Sequence, residues 1–177
     1  LPQLFNNDVI IGGYDKTVKS ISPQFDFVML HQLTQILTEN LNRVIDINFY
    51  PTKKTRTSNM KHRPIGLGIQ GLADTFAILN IPFHSNEARQ LNKDIFETIY
   101  HAAVSKSLEL SKLYGPYSTF KGSPSSNGIL QFDLWNVTPS NRYDWNKLKE
   151  EVKNNGIRNS LLIAPMPTAS TSQILGN

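Results

Sequence analysis

The sequence contains no cysteine among its 177 residues. This absence excludes disulfide bonds, thiolate nucleophiles and thiolate metal ligands from the chain, and it is consistent with a reducing compartment. No apolar run approaches the ~20 residues needed to cross a bilayer. The first residues also lack the basic and apolar regions of a secretory signal peptide. We therefore expect neither a membrane protein nor an enzyme that uses thiols of its own.

Length and charge set broad limits on the function. A chain of this length can form one domain with a core, and 39% of its residues are hydrophobic. The formal net charge of +4 is a modest excess that suits an anionic ligand and a nucleic acid equally well. The chain starts at Leu1, and residues 174–177 look like an interrupted helix, so we expect a piece of a longer protein.

Apolar spacing and capping signals predict helices over residues 23–47, 71–79, 85–114 and 144–155. Short apolar runs predict buried strands at residues 64–70 and 161–164, whereas residues 1–22, 52–63 and 115–142 are expected to be irregular. Strands separated by helices indicate an α/β fold with parallel pairs. The predicted inner face of the first helix, with Ser22 as its cap, consists of Phe27, Leu30, Leu33, Leu37, Leu41, Val44 and Ile45. The helix over residues 85–114 is predicted to begin after Ser85 as its cap, to end at Gly115, and to have the inner face Ala88, Leu91, Ile95, Ile99, Ala102 and Ala103. Asp144 is the predicted cap of the last of these helices, and Gly156 is its predicted stop.

Residues 52–63 carry a concentration of positive charge: Lys53, Lys54, Arg56, Lys61 and Arg63. Two interpretations are open, a solvated surface connection and a contact with nucleic acid. No aromatic side chains are interleaved to stack on bases, which favours the surface connection.

A glycine motif spans Gly66 to Gly71 and matches the G-x-G-x-x-G pattern of dinucleotide-binding proteins. In such proteins the first glycine follows a strand, but residues 58–64 are mostly polar. The apolar residues lie inside the motif, so the motif itself reads as the strand. We therefore expect the glycines to allow close packing rather than to bind a nicotinamide or flavin cofactor.

A proline-rich turn after the second predicted strand carries the strongest local signal. Pro165 and Pro167 precede four hydroxyl residues, Thr168, Ser170, Thr171 and Ser172, that open a predicted helix. The first amides of a helix have no internal acceptor, so amides and hydroxyls together can hold a phosphate without a lysine. Ordinary capping by one hydroxyl is the alternative, and the local pattern leaves both open.

Several blocks of the sequence resemble the large subunit of eukaryotic-type class I ribonucleotide reductases, and they occur in the order of that family. The blocks are NLNRVIDIN (40–48), HRPIGLGIQGLAD (62–74), NKDIFETIY (92–100), WNVTP (135–139), and GIRNSLL (156–162) followed by PMPTAST (165–171). A set of blocks in one order is far more specific than any single motif above.

The resemblance implies that residues 1–177 are a partial catalytic domain, truncated at both ends, from a ten-stranded α/β barrel. It implies reduction of ribonucleoside diphosphates to 2′-deoxyribonucleoside diphosphates by a radical mechanism, for DNA synthesis. The role of holding the substrate diphosphate transfers to Thr168, Ala169, Ser170 and Thr171, and less securely to Ser172. The family's catalytic cysteines are not in this segment, so it is expected to be inactive alone and to contain no catalytic residue.

The resemblance also implies partners for the parent protein. These are ATP and deoxynucleotide effectors, a metal-containing small subunit that generates the thiyl radical, a second large subunit, and thioredoxin or glutaredoxin as reductant. It implies no cofactor or metal bound by this segment, no membrane, no direct contact with nucleic acid, and a cytoplasmic location.

Overall fold

The structure, a computed structural model, describes residues 24–176. They form seven α-helices and a short 3-10 helix at Pro124–Asn127. In chain order the α-helices are α1 (Phe27–Ile47), α2 (Lys53–His62), α3 (Leu72–Ile78), α4 (Asn86–Tyr114), α5 (Gln131–Leu134), α6 (Trp145–Asn155) and α7 (Ala169–Leu175). No helix in the described part of the chain is long and apolar enough to cross a membrane.

The packing of α1 against α4 organises the fold. His31 contacts His101 at 2.9 Å, and Glu39 lies 3.7 Å from Lys106, so the two helices run in the same direction. Helix α4 begins after the predicted cap Ser85 and ends at Gly115, as its sequence signals indicated. Five of the six side chains predicted for its inner face are buried: Ala88, Ile95, Ile99, Ala102 and Ala103.

The predicted start and inner face of α1 are partly wrong. The helix begins at Phe27, not at residue 23, because Asp26 accepts a hydrogen bond from the Met29 amide and caps it. Its buried residues are Leu30, Thr34, Thr38, Asn42 and Ile45, whereas Leu37 and Val44 are exposed. The polar side chains are buried at little cost because each donates to a carbonyl one turn earlier.

Helix α2 lies where an irregular loop was predicted. The Thr52 hydroxyl oxygen caps it by accepting the Thr55 amide, and the Thr55 hydroxyl oxygen in turn accepts the Thr52 amide, which forms a capping box. The sequence pattern for a capping box did not predict this pairing, because Thr55 stands where that pattern requires Glu or Gln. The helix buries none of its own residues, so its lysines are exposed as expected. Arg63 is the exception to the predicted solvated surface, since it is 2% exposed and paired with Asp46 at 2.7 Å.

The two predicted strands come together as parallel extended segments. Leu67 and Ile163 form a parallel bridge in which the Leu67 amide donates to Leu162 and the Ala164 amide donates to Leu67. The Ile65 amide adds a third hydrogen bond, to Leu161. Apart from this pair and a single bridge position at Phe25, residues 24–176 are helical or irregular. The α/β sheet that the sequence predicted is therefore represented mainly by this pair. Segments this short need further partners on their outer edges before a sheet can form.

The glycine motif lies within this pairing. A Cβ atom added to Gly66 would lie 3.0 Å from the Ala164 Cβ, and one added to Gly68 would lie 3.3 Å from the Ala164 oxygen. Gly71, with φ at 75°, then begins α3. The motif is therefore the extended segment itself, not the turn after a strand. This geometry supports the packing interpretation over a dinucleotide site.

The other predicted elements are mostly confirmed. Helices α3 and α6 match the predictions to within about a residue, and α6 buries Trp145, Leu148 and Val152. Residues 115–142, predicted to be irregular, contain the 3-10 helix and the single turn of α5. The predicted irregular segment 1–22 and the predicted cap at Ser22 lie outside the described residues.

Candidate functional site

The candidate loop leaves the bridge at Ala164 and turns into α7 through Thr168. Thr168 has φ at 58°, in the left-handed region that β-branched residues rarely adopt. Its carbonyl accepts the Ser172 amide at 2.9 Å, which begins the helix. Backbone strain of this kind costs about 1–3 kcal/mol and persists where the surroundings impose it.

The first amides of α7 are free within residues 24–176. The N–H groups of Ala169, Ser170 and Thr171 have no acceptor there, and no side chain caps the helix. Ordinary capping, the alternative open from the sequence, is therefore absent from this geometry. Ser170 and Thr171 are exposed, so their amides and hydroxyls face solvent and not the core.

Within the described residues, the hydroxyl groups of Thr171 and Ser172 donate only long hydrogen bonds. Thr171 lies 3.4 Å from the Thr168 carbonyl oxygen, and Ser172 lies 3.3 Å from the Ala169 carbonyl oxygen. Bonds of this length are weak and are readily exchanged for a charged acceptor. The loop thus offers three amide donors and exchangeable hydroxyl donors at one end of a short helix.

These donors border an open cleft of about 420 Å³. The side chains and backbone that line it belong to two segments, Gly68, Ile69 and Gln70 on one wall and Met166, Thr168, Ala169, Ser170 and Thr171 on the other. Four of the five predicted site residues are in this lining, and Ser172 is not. Every lining residue is uncharged, so the cleft can hold an anion through hydrogen bonds but offers no acid or base for catalysis.

A buried polar cluster fixes the segment that leads to the loop. Asn159 is 0% exposed, and its amide nitrogen donates to Asn42 Oδ1 at 3.0 Å and to the Arg63 carbonyl at 2.8 Å. Its side-chain oxygen accepts from Asn42 Nδ2 and from Ser107 Oγ. The cluster therefore joins α1, α4 and the turn after α2 just before the bridge, and gives the loop a rigid base.

Sequence reasoning missed the second wall of the cleft and this cluster. Gln70 and Thr171 are 101 residues apart in sequence but 3.1 Å apart in space. The only sequence signal was indirect: the glycine motif immediately precedes Gln70, and close packing of its glycines implied a neighbouring segment. Nothing in the pattern identified that neighbour as the phosphate-binding candidate.

Comparison with known proteins assigns the family. The family model described as ribonucleotide reductase, barrel domain, matches residues 10–177. The chain belongs to this family. Within residues 24–176, no three His, Asp or Glu side chains lie close enough together to hold a metal ion.

Similar proteins are named as large chains or subunits of ribonucleoside-diphosphate reductase. The chain is 61% identical to the Neurospora crassa large chain over 86% of its own length and 16% of the relative's. Identity to the Caenorhabditis elegans large subunit is also 61%, over 87% of this chain and 20% of the relative. The chain is also 61% identical to the Arabidopsis thaliana large subunit, over 86% of this chain and 19% of the relative. The ribonucleotide reductase barrel segment described here thus spans a fifth or less of each.

Proposed function

We propose that this chain is an internal segment of a ribonucleoside-diphosphate reductase large subunit, and that Thr168, Ala169, Ser170, Thr171 and, more weakly, Ser172 hold the diphosphate of the substrate. In this proposal the parent protein reduces ribonucleoside diphosphates to deoxyribonucleoside diphosphates by a radical mechanism. The observation that carries it is the set of unpartnered α7 amides at the border of an open cleft. The family and its closely similar relatives supply the substrate class.

The contribution of this segment is to position the substrate, not to react with it. A diphosphate bound at the start of α7 would fix one end of the nucleotide, so that the ribose meets reactive groups supplied by the rest of the parent. Such positioning lowers the entropic part of the barrier. Alone, the segment contains no cysteine, so no thiyl radical can form on it.

The proposal extends to the architecture and partners of the parent. The parallel pair of extended segments would be two neighbouring strands of a ten-stranded α/β barrel, of which residues 1–177 are one part. For the parent protein, the proposal also includes four kinds of partner: the small radical-generating subunit, a second large subunit, nucleotide effectors, and thioredoxin or glutaredoxin. It places the parent in the cytoplasm.

The test uses the full-length parent with Ser170→Ala and Thr171→Ala. Each change removes one hydroxyl donor next to the diphosphate, so we expect binding of a ribonucleoside diphosphate to weaken by about 1–3 kcal/mol. Calorimetric titration measures this loss. Ser58→Ala removes an exposed hydroxyl from α2 and serves as the matched control. Unchanged affinity in both loop variants would refute the assigned role.

A further inference from the structure

The side chain of Gln70 joins the two walls of the cleft. Its Nε2 atom donates a hydrogen bond to Thr171 Oγ1 at 3.1 Å. Among the residues that the structure describes, this is the one side-chain hydrogen bond that connects α7 and its cap to another part of the fold. Gln70 itself is half-buried at the end of the extended segment, directly after Ile69, whose side chain packs against the core.

This contact determines the direction of the Thr171 hydroxyl. A hydroxyl has one proton to donate and two lone pairs that accept. Because Gln70 donates to the oxygen, the proton must point away from Gln70. Within the described residues, the hydroxyl donates only to the Thr168 carbonyl oxygen, at the long distance of 3.4 Å. The proton is therefore free to turn to an anion in the cleft.

The rest of α7 has little else to hold it in place. None of its residues is buried, and Ile174 and Leu175 are 81% and 66% exposed. The opposite wall, by contrast, includes Ile69, whose side chain packs against the core. The hydrogen bond from Gln70 therefore holds the loosely packed α7 at a fixed distance from the opposite wall of the cleft.

We propose that Gln70 is a positioning residue for the diphosphate loop, which orients the Thr171 hydroxyl and sets the distance between α7 and the rigid wall. This inference rests on the proposed function, because it needs the loop to bind the diphosphate. Gln70 acts through Thr171 and not by contact with the substrate.

The first test compares Gln70→Met and Gln70→Glu in the full-length parent. Methionine has nearly the same length but no donor, and we expect it to raise the Kd for a ribonucleoside diphosphate about three- to tenfold. Glutamate can only accept, so it would draw the Thr171 hydroxyl into donating to it and would add a negative charge; the Kd should then rise by more than about tenfold. Gln90→Met is the matched control, since Gln90 is exposed on α4 and contacts Asp94.

The second readout separates positioning from general structural damage. The corresponding ribonucleoside, which lacks phosphates, should bind the wild type and Gln70→Met with the same Kd. An equal loss of affinity for the diphosphate and the ribonucleoside would overturn the proposal, because it would mean that the whole site is distorted.

A double-mutant cycle tests whether Gln70 acts through Thr171. If it does, Gln70→Met combined with Thr171→Val should raise the Kd no further than Thr171→Val alone. Additive losses would overturn the inference and leave the loop assignment intact. If Thr171→Val and Ser170→Ala do not change diphosphate affinity, the proposed function itself fails, and that result is distinct from a failure of Gln70 alone.

Discussion

Replacement of Asn159 by alanine should destabilise the fold more than the loss of any exposed polar side chain. Asn159 is fully buried, and its side chain makes four hydrogen bonds, to Asn42 twice, to the Arg63 carbonyl and to Ser107. Alanine removes all four and leaves their partners in an interior that water does not reach.

The size of the effect follows from the groups left unpaired. The Arg63 carbonyl loses the side-chain donor, and Asn42 loses both hydrogen bonds to Asn159 although it still donates to the Thr38 carbonyl oxygen. The Ser107 hydroxyl can rotate and still accepts the backbone amide of residue 159 at 3.0 Å. With about 1–3 kcal/mol for each buried group without a partner, we expect a loss of about 3–5 kcal/mol. Ser107→Ala should cost less, about 1–2 kcal/mol, because it removes one donor and one acceptor.

Urea unfolding followed by circular dichroism measures this loss. At a slope of about 2 kcal/mol per molar urea, the midpoint of Asn159→Ala should fall by about 2 M. Asn154→Ala is the matched control, because Asn154 is exposed on α6, and its midpoint should move by less than about 0.3 M. A midpoint for Asn159→Ala within the range of the control would refute the argument that this cluster holds the base of the loop.

Two further predictions concern other parts of the fold. Burial, and secondarily His31, lower the pKa of His101 from 6.5 to about 4. As the pH falls the unfolded chain therefore takes up the proton first, and stability present above pH 6.5 should be lost towards pH 4. Urea midpoints across this range should depend less on pH in His101→Gln; an equal dependence would contradict the assignment. Gly66→Ala should lower stability by about 1–3 kcal/mol through contact with Ala164, and Ala164→Gly should restore it in thermal unfolding.

The helices were predictable where the sequence carries both a cap and a stop. Ser85 and Gly115 bound α4, and Asp144 and Gly156 bound α6, because these residues satisfy helix ends through local bonds alone. Helix α2 was missed because it lacks an apolar face. The inner face of α1 was predicted wrongly for a related reason. Hydrophobic periodicity does not predict that Thr34, Thr38 and Asn42 are buried, because it ignores polar side chains that donate to carbonyl groups of their own helix.

The site was predictable only as far as its local chemistry extends. The hydroxyl cluster at residues 168–172 stands out because a helix start needs one cap and the chain supplies four hydroxyls. The opposite wall depends on a pairing between residues about a hundred positions apart in sequence. Hydrophobic periodicity describes neighbouring residues only, so it cannot predict such a pairing. The resemblance to ribonucleotide reductases supplied the proposed ligand of this loop, but it did not point to Gln70 or the Asn159 cluster.

The proposed diphosphate loop is held firmly at its base and loosely at its far end. Its base is rigid, because the Asn159 cluster and the bridge at Leu67 both lie immediately before it. Its far end is not, because Ile174 and Leu175 remain exposed and, in the described part of the chain, no apolar surface covers them. An uncharged cleft gains affinity only when its donors are held in place, since it has no long-range attraction to compensate for motion. Covering Ile174 and Leu175 in the parent would therefore stabilise α7 and strengthen binding without adding any contact to the diphosphate.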